Sequence, residues 1–337
     1  MKELLKKLVE AYGPAGNEGP VREILRKEVE GLADEVKVDA LGNLIVVRKA
    51  AGAGPRVLLA AHMDEIGVIV THIDEKGFVR FSNIGGVSPY VLLGERVAFE
   101  NGTVGTFGTE KLDDIKDLKL SKMFIDIGAA DEKSAREKVS VGDIAGFQRD
   151  ARVSDGGRII AKSLDDRCGC AVLVQVLKEL RGRDIPNQVY VVFSVQEELG
   201  TRGAKTAAYG ISPDIGIAVD VTGTGDTPEA RTMAVSLGKG PTIKVKDSSV
   251  LTHPRVRQVM VETAKEKGIP YQLEVLEYGG TDTGPIHLTR EGVPSGAISI
   301  PTRYVHTPSE MADLGDIENA VRLFVALLEK PLGEKVL

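Results

Sequence analysis

Glu197 and Glu198 are adjacent carboxylates within Gln196-Glu197-Glu198-Leu199-Gly200-Thr201-Arg202-Gly203-Ala204, directly after an apolar, β-branched run at residues 189–195. The length of that run, and the Asp184-Ile185-Pro186-Asn187 turn before it, predict a buried parallel strand. Both acids therefore stand just past a strand's carboxyl end, where open α/β sheets bind ligands. Successive strand residues face opposite sides, so if strand geometry persists the two acids take different jobs, one holding a metal and the other handling a proton. A lone Glu-Glu pair is ordinarily a solvated acidic turn, and its company is what argues otherwise.

Three further predicted strands end in residues able to bind metal. Residues 57–61 lead into His62-Met63-Asp64-Glu65, residues 214–219 into Asp220, and residues 296–300 are followed shortly by His306. Asp165 opens a helix expected over residues 168–180. Each alone has an ordinary explanation as a core histidine, a helix cap, a turn former or a loop residue. Together, at equivalent ends of successive strands, they form a His, Asp and Glu set without thiolates, which suits Zn²⁺, Co²⁺ or Mn²⁺. Two histidines and three carboxylates serve two ions roughly 3.5 to 4 Å apart sharing one carboxylate, each ion keeping an open position for water. One more carboxylate stays free for proton transfer. Asp64, two residues past His62, is placed to accept a hydrogen bond from the other ring nitrogen and fix the tautomer. His72, His253 and His287 lack such context and are expected to be structural.

The elements that would carry this set alternate as in an α/β protein. Residues 2–12 and a segment containing Val21, Ile24, Leu25, Val29 and Leu32 read as amphipathic helices, the second capped by Asn17. Leu41-Gly42-Asn43 reads as a hairpin turn. From Val68 to about Ile160 the alternation stops and short β-rich runs separated by glycine turns take over, with one helix near residues 131–139. The expected organisation is a catalytic domain in two parts, residues 1–67 and 161–337, interrupted by a small β-rich domain at 68–160. The chain has 337 residues, 42% of them hydrophobic, enough for a substantial core. A formal charge of -6 with no basic block argues against a nucleic-acid partner. The N-terminal residues mix charges at helical spacing, unlike a signal peptide or membrane span, so the expected location is cytoplasmic. Cys168 and Cys170 would point about 200° apart on a helix and are not expected to form a disulfide with each other.

Five blocks in order resemble the deblocking or tetrahedral (TET) aminopeptidases, glutamyl-aminopeptidase-like di-metal peptidases of the MH clan. They are Ala61-His62-Met63-Asp64-Glu65-Ile66-Gly67, Ser163-Leu164-Asp165-Asp166-Arg167, the Glu197 block quoted above, Asp220-Val221-Thr222, and Arg303-Tyr304-Val305-His306-Thr307-Pro308-Ser309-Glu310. The resemblance spans essentially the whole chain. It implies a phosphorylase/hydrolase-like α/β catalytic domain with a mixed sheet, interrupted by a β-barrel or PDZ-like dimerisation domain, and homo-oligomers built from dimers up to tetrahedral dodecamers. It also implies that Asp165 bridges two metal ions, most readily zinc or cobalt, that His62 and Asp220 complete one site, and that Glu198 and His306 complete the other. Glu197 becomes the general base and Asp64 the orienting residue, while Gly280, Thr281 and Asp282 match a substrate-side loop. No ligand position departs from the family pattern.

The implied reaction is removal of the N-terminal residue from short peptides by a metal-bridging water that Glu197 deprotonates. The rival on the same scaffold is an N-acyl deacylase or another di-metal hydrolase, since fold and site alone do not settle substrate. A glycosidase needs two metal-free carboxylates flanking a sugar, and most acids here look committed to ions. A noncatalytic assembly or metal-buffering protein would show no metal-dependent turnover. Nucleotide binding is disfavoured because Thr222-Gly223-Thr224-Gly225-Asp226 lacks the third glycine of the dinucleotide fingerprint and no Gly-Lys-Ser/Thr loop is present.

Overall fold

Four apolar runs lie side by side as parallel strands in the order Gln188–Ser194, Arg56–His62, Ile215–Thr222 and Ser295–Arg303. Parallel pairing puts all four carboxyl ends on one edge, with Ser194 registered on His62 and Thr222 on Pro301. The computed structural model describes residues 1–337. Antiparallel strands extend the sheet on both flanks: Glu35–Val38 and Leu44–Arg48 on one side, and Glu310–Asp313, Arg158–Ala161 and Arg152–Val153 on the other. Thr242–Lys246 and Gln272–Val275 complete an 11-stranded mixed sheet. The strand before Glu197 is thus parallel to one neighbour and antiparallel to the other.

Period-two alternation sorts the strand side chains onto the two faces. Val57, Leu59 and Ala61 enter the main core beneath the almost wholly buried helix Leu164–Glu179, which packs on Leu314–Leu328 and Lys2–Glu10. Leu58 and Ala60 face the other way, against Ala204, Ala207 and Ala208 of helix Arg202–Ile211 and Ile286 of Thr283–His287. No helix is long and apolar enough to cross a membrane.

Gly67–Ile73, Val79–Ile84, Met123–Asp126, Val104–Thr109, Arg96–Phe99 and Ile144–Phe147 close, in that order, into a separate six-stranded barrel. Its core is its own, with the Phe81 and Phe107 rings edge to face at 5.1 Å. The short helix expected near 131–139 is Glu132–Arg136, opened by a reciprocal Asp131 and Ser134 cap. The large sheet resumes earlier than the expected boundary at 161, because Arg152–Val153 and Arg158–Ala161 pair in it. Those two strands are as short and turn-bounded as the barrel's own, so their composition gives no sign of the change of sheet.

The crossing from the large sheet into the barrel carries Glu65, whose carboxylate accepts from Gly13 N (3.0 Å), Lys162 Nζ (2.6 Å) and Ser163 Oγ. A buried charge needs such partners, and Glu65 and Lys162 are 1% and 2% exposed. Asn17 does not cap the helix Gly19–Glu28. Its amide donates to Tyr12 Oη at 2.9 Å, and Glu18 occupies the cap position with its carboxylate turned to Gly16 N and Gln196 N. Gly203, near the end of the Glu197 block, is required by space, since a Cβ there would lie 2.3 Å from Asn43 Oδ1 and 2.5 Å from Val195 O. Gly203→Ala should therefore lower unfolding free energy by about 1–3 kcal/mol, read from urea denaturation; an unchanged midpoint would show that the first turn of the helix has room.

Candidate metal centre

His62 closes its strand and is 2% exposed. Its Nδ1 lies 3.1 Å from the Asp64 main-chain carbonyl, while the Asp64 carboxylate is 3.6 Å away, beyond hydrogen-bonding range. The expected tautomer lock thus comes from the Asp64 backbone. A proton on Nδ1 leaves the Nε2 lone pair facing Asp165 Oδ1 at 3.0 Å and Asp220 Oδ1 at 4.0 Å. The other Asp165 oxygen, Oδ2, lies 3.3 Å from His306 Nε2, which is also 3.1 Å from Glu198 Oε1. Asp165 therefore stands between two imidazoles, one beside Asp220 and one beside Glu198.

The Asp64 carboxylate does a different job. Its two oxygens accept from Glu197 N and Glu198 N, each at 3.0 Å, while Gln196 N donates to Glu18 at 3.1 Å. Glu310 mirrors this arrangement, one oxygen accepting from Asp165 N at 3.0 Å and the other from His306 N at 2.9 Å. Asp166 takes His62 N (3.2 Å) and Gly169 N (3.1 Å). His62, Asp166 and Asp220 are close enough together to suggest a metal-binding triplet. Asp166 is committed to these amides and is absent from the cavity wall, so it braces rather than coordinates.

Strand alternation does not decide the roles of the glutamates, because the strand stops at Ser194 and Gln196 turns left-handed at φ 53°. Both side chains line a cavity of about 480 Å³ whose floor also holds His62, Asp165, Asp220 and His306. They differ in their contacts. Glu198 touches His306, whereas the Glu197 carboxylate makes no hydrogen bond. Burial pushes Glu197 well above the ordinary carboxylate range, with the charges of Asp220, Asp282 and Glu198 adding to it against the pull of His62. Burial raises Asp220 and Glu198 as well. It would raise Asp165 too, but the His306 and His62 rings, when protonated, donate to it and hold that carboxyl low. Burial opposes charge on His306, yet its bonds to Asp165 and Glu198 win and push it up to about 11.

Of the substrate-side loop, Gly280 meets the cavity wall. Thr281 and Asp282 are 1% and 2% exposed and stand away from it, the Asp282 carboxylate taking the Ser194 hydroxyl beneath the site. His72 is exposed on the barrel, His253 Nδ1 is buried without a partner, and His287 bonds the Thr283 carbonyl at 3.1 Å; none reaches the cavity. Cys168 and Cys170 are free and buried.

The barrel also reaches the site. A Cβ on Gly86 would lie 2.6 Å from His306 Nδ1, and one on Gly85 would lie 2.8 Å from Glu198 Oε2. Sequence reasoning missed these glycines, which read as an ordinary turn after a strand. It also assigned no role to Glu310, Asp166 or Glu18. For Glu310 the available signal was its place four residues after His306 in the last motif block.

The family model described as M42 glutamyl aminopeptidase matches residues 42–323. The chain belongs to that family. As an M42 member it is a metalloaminopeptidase, a hydrolase of peptide bonds, and the resemblance read from the five motif blocks holds. A putative aminopeptidase of Acetivibrio thermocellus is 57% identical, the match covering 96% of this chain and 97% of that protein. An aminopeptidase from the archaeon Desulfurococcus kamchatkensis has a solved structure with a TM-score of 0.93 at 39% identity, covering 97% of this chain and 94% of that one. The Pyrococcus horikoshii TET1 peptidase, described as assembling into a tetrahedron or a large octahedral shell, matches with a TM-score of 0.87 at 34% identity over 97% and 98% of the two chains.

Asp64→Asn keeps the side-chain shape but sets an amide donor against an N–H. We expect metal affinity or activity to fall about 10- to 100-fold with the far-UV circular dichroism unchanged. Native affinity and activity in that variant would mean the Glu197 and Glu198 amides need no carboxylate.

Proposed function

We propose that the enzyme holds two divalent ions, zinc or cobalt, and removes the N-terminal residue from short peptides with Glu197 as general base. The observation that carries this is Asp165, whose two oxygens face separate imidazoles at 3.0 and 3.3 Å. The donor chemistry fits the ions. Asp165, Asp220, Glu197 and Glu198 crowd one buried floor, and no lysine or arginine pairs with any of them. Such a concentration of acids either takes up protons, the direction in which Asp220, Glu197 and Glu198 are shifted, or is balanced by added positive charge. Asp165 would bridge, His62 and Asp220 would complete one site, and Glu198 and His306 the other. Ions so held supply Lewis acidity, lowering the pKa of a water towards about 7 and polarising the scissile carbonyl.

The chain's own residues do the rest. Glu197, free of partners and raised by burial, accepts the proton of the attacking water. As the peptide C–N bond breaks it returns that proton to the departing nitrogen, so the amine leaves neutral and the base is regenerated. Asp64 holds the Glu197 backbone so that the carboxylate stays over the floor. The free α-amino group of the substrate would lie near one ion or one acidic side chain, which would explain exopeptidase action. Assembly is proposed by analogy with the TET1 relative: a homo-oligomer of dimers paired through the inserted barrel, reaching a tetrahedral dodecamer.

The test is release of N-terminal residues from free and N-acetylated short peptides by protein that has been chelated and then reloaded with Co²⁺ or Zn²⁺. Chelation should abolish release, and reloading should restore it for free N-termini alone. Glu197→Gln should lower turnover by at least about 100-fold with metal content intact. Release of acetate from the acetylated peptides would indicate a deacylase, and loss of metal in Glu197→Gln would make Glu197 a ligand.

A further inference from the structure

Above the metal floor, the cavity wall is built from residues following three strands, among them Thr222, Thr224, Leu276, Tyr278, Tyr304 and Val305. Only one charged residue belongs to that wall outside the floor, Arg303. Its guanidinium is not free. Nε donates to Asp226 Oδ1 and Nη2 to Asp226 Oδ2, both at 2.9 Å, a bidentate pair. Asp226 is engaged further, since Leu237 N donates to Oδ2 at 2.9 Å. Arg303 and Asp226 are 16% and 18% exposed, so the pair is largely shielded from competing water. Neither partner is available to a substrate charge unless the other is left unpaired, a costly change at such burial.

Two of the wall's threonine hydroxyls are likewise occupied. The Thr222 hydroxyl donates to Glu274 at 2.8 Å, and the Thr302 hydroxyl donates to the Ile300 carbonyl at 3.2 Å. Arg231 lies over the Tyr278 ring, 4.7 Å from its centroid, but does not belong to the cavity wall. Leu276, Val305 and the Tyr278 and Tyr304 rings are left as the surface a side chain would touch. The floor adds no net charge when loaded, because the four carboxylates of Asp165, Asp220, Glu197 and Glu198 balance two divalent ions.

On the aminopeptidase reading given above, we propose that this chain selects peptides with a neutral, apolar N-terminal side chain, of the leucine, methionine or phenylalanine class, and that the Arg303 and Asp226 pair excludes acidic and basic ones. A glutamate or lysine side chain entering the cavity loses water and finds no free counter-charge among the wall residues. A leucine gains contact with Leu276, Val305 and the two rings.

The experiment compares kcat/KM for leucyl, methionyl, phenylalanyl, glutamyl and lysyl p-nitroanilides, using metal-loaded enzyme. The neutral substrates should exceed the glutamyl and lysyl ones by at least about tenfold. Equal or faster release of glutamate or lysine overturns the proposal, whereas release of no residue at all overturns the underlying aminopeptidase reading. Two variants locate the cause. Asp226→Asn frees the guanidinium and should raise the glutamyl to leucyl ratio by about tenfold or more, and Arg303→Met frees the carboxylate and should raise the lysyl to leucyl ratio likewise. Unchanged ratios in both overturn the role given to the pair. A binding readout independent of turnover is calorimetric titration of metal-loaded Glu197→Gln protein with Leu-Ala, Glu-Ala and Lys-Ala, in which Leu-Ala should bind tightest; tighter binding of either charged dipeptide contradicts the proposal.

Discussion

The site rests on buried carboxylates that hold backbone amides rather than metal. Asp64 binds the amides of Glu197 and Glu198, Glu310 those of Asp165 and His306, and Asp166 those of His62 and Gly169. A carboxylate removed from water must recover its lost hydration, and charge-assisted bonds from N–H groups are the strongest compensation the main chain offers. Each such carboxylate has two oxygens and here ties two backbone points. Three of them thereby fix five side chains that could bind or act beside an ion. The loops concerned do not follow regular geometry, with Gln196, Tyr304 and His306 left-handed at φ 53°, 61° and 62°. Left-handed non-glycine residues are costly and persist where surrounding contacts over-determine them. The carboxylate bonds to Gln196, Glu197 and His306 supply that determination.

The parallel strands set the coarse position and these bonds set the fine one. Register brings His62, Ser194 and the end of Ile215–Thr222 to one edge of the sheet. The barrel closes the far side of the site through Gly85 and Gly86, whose missing side chains let its turn press against Glu198 and His306. Glu65, one residue beyond Asp64 where the chain passes from sheet to barrel, bonds Lys162 and Ser163, the latter two residues before Asp165. The inserted barrel is therefore mechanically continuous with the residues at the floor.

Much of this was legible in the sequence because strand ends carry position. Apolar runs bounded by turn residues predicted the four central strands, and the acids and histidines at their carboxyl ends came together in one cavity. What periodicity does not encode is the path of a loop after a strand has stopped. Alternation assigned opposite faces to Glu197 and Glu198, but the chain leaves strand geometry at Gln196 and both enter the cavity. A hydrogen bond from His62 to the Asp64 side chain was a fair expectation from spacing, yet the nearer backbone carbonyl takes the ring and releases the carboxylate for the amides. Gly85 and Gly86 lie far in sequence from their contacts at the site, as Glu310 does from Asp165, and only the three-dimensional path brings them there. Likewise the short strands after the barrel look like barrel strands until their partners are known.

The most direct measurement is metal stoichiometry and affinity, by calorimetric titration and elemental analysis, for the native protein and Asp165→Asn. A carboxylate shared by both ions predicts two ions per native chain and a loss of both when one of its oxygens becomes an amide nitrogen. Retention of one ion at native affinity in Asp165→Asn, or a native stoichiometry of one, would contradict a bridging role for Asp165 and the two-ion centre built on it.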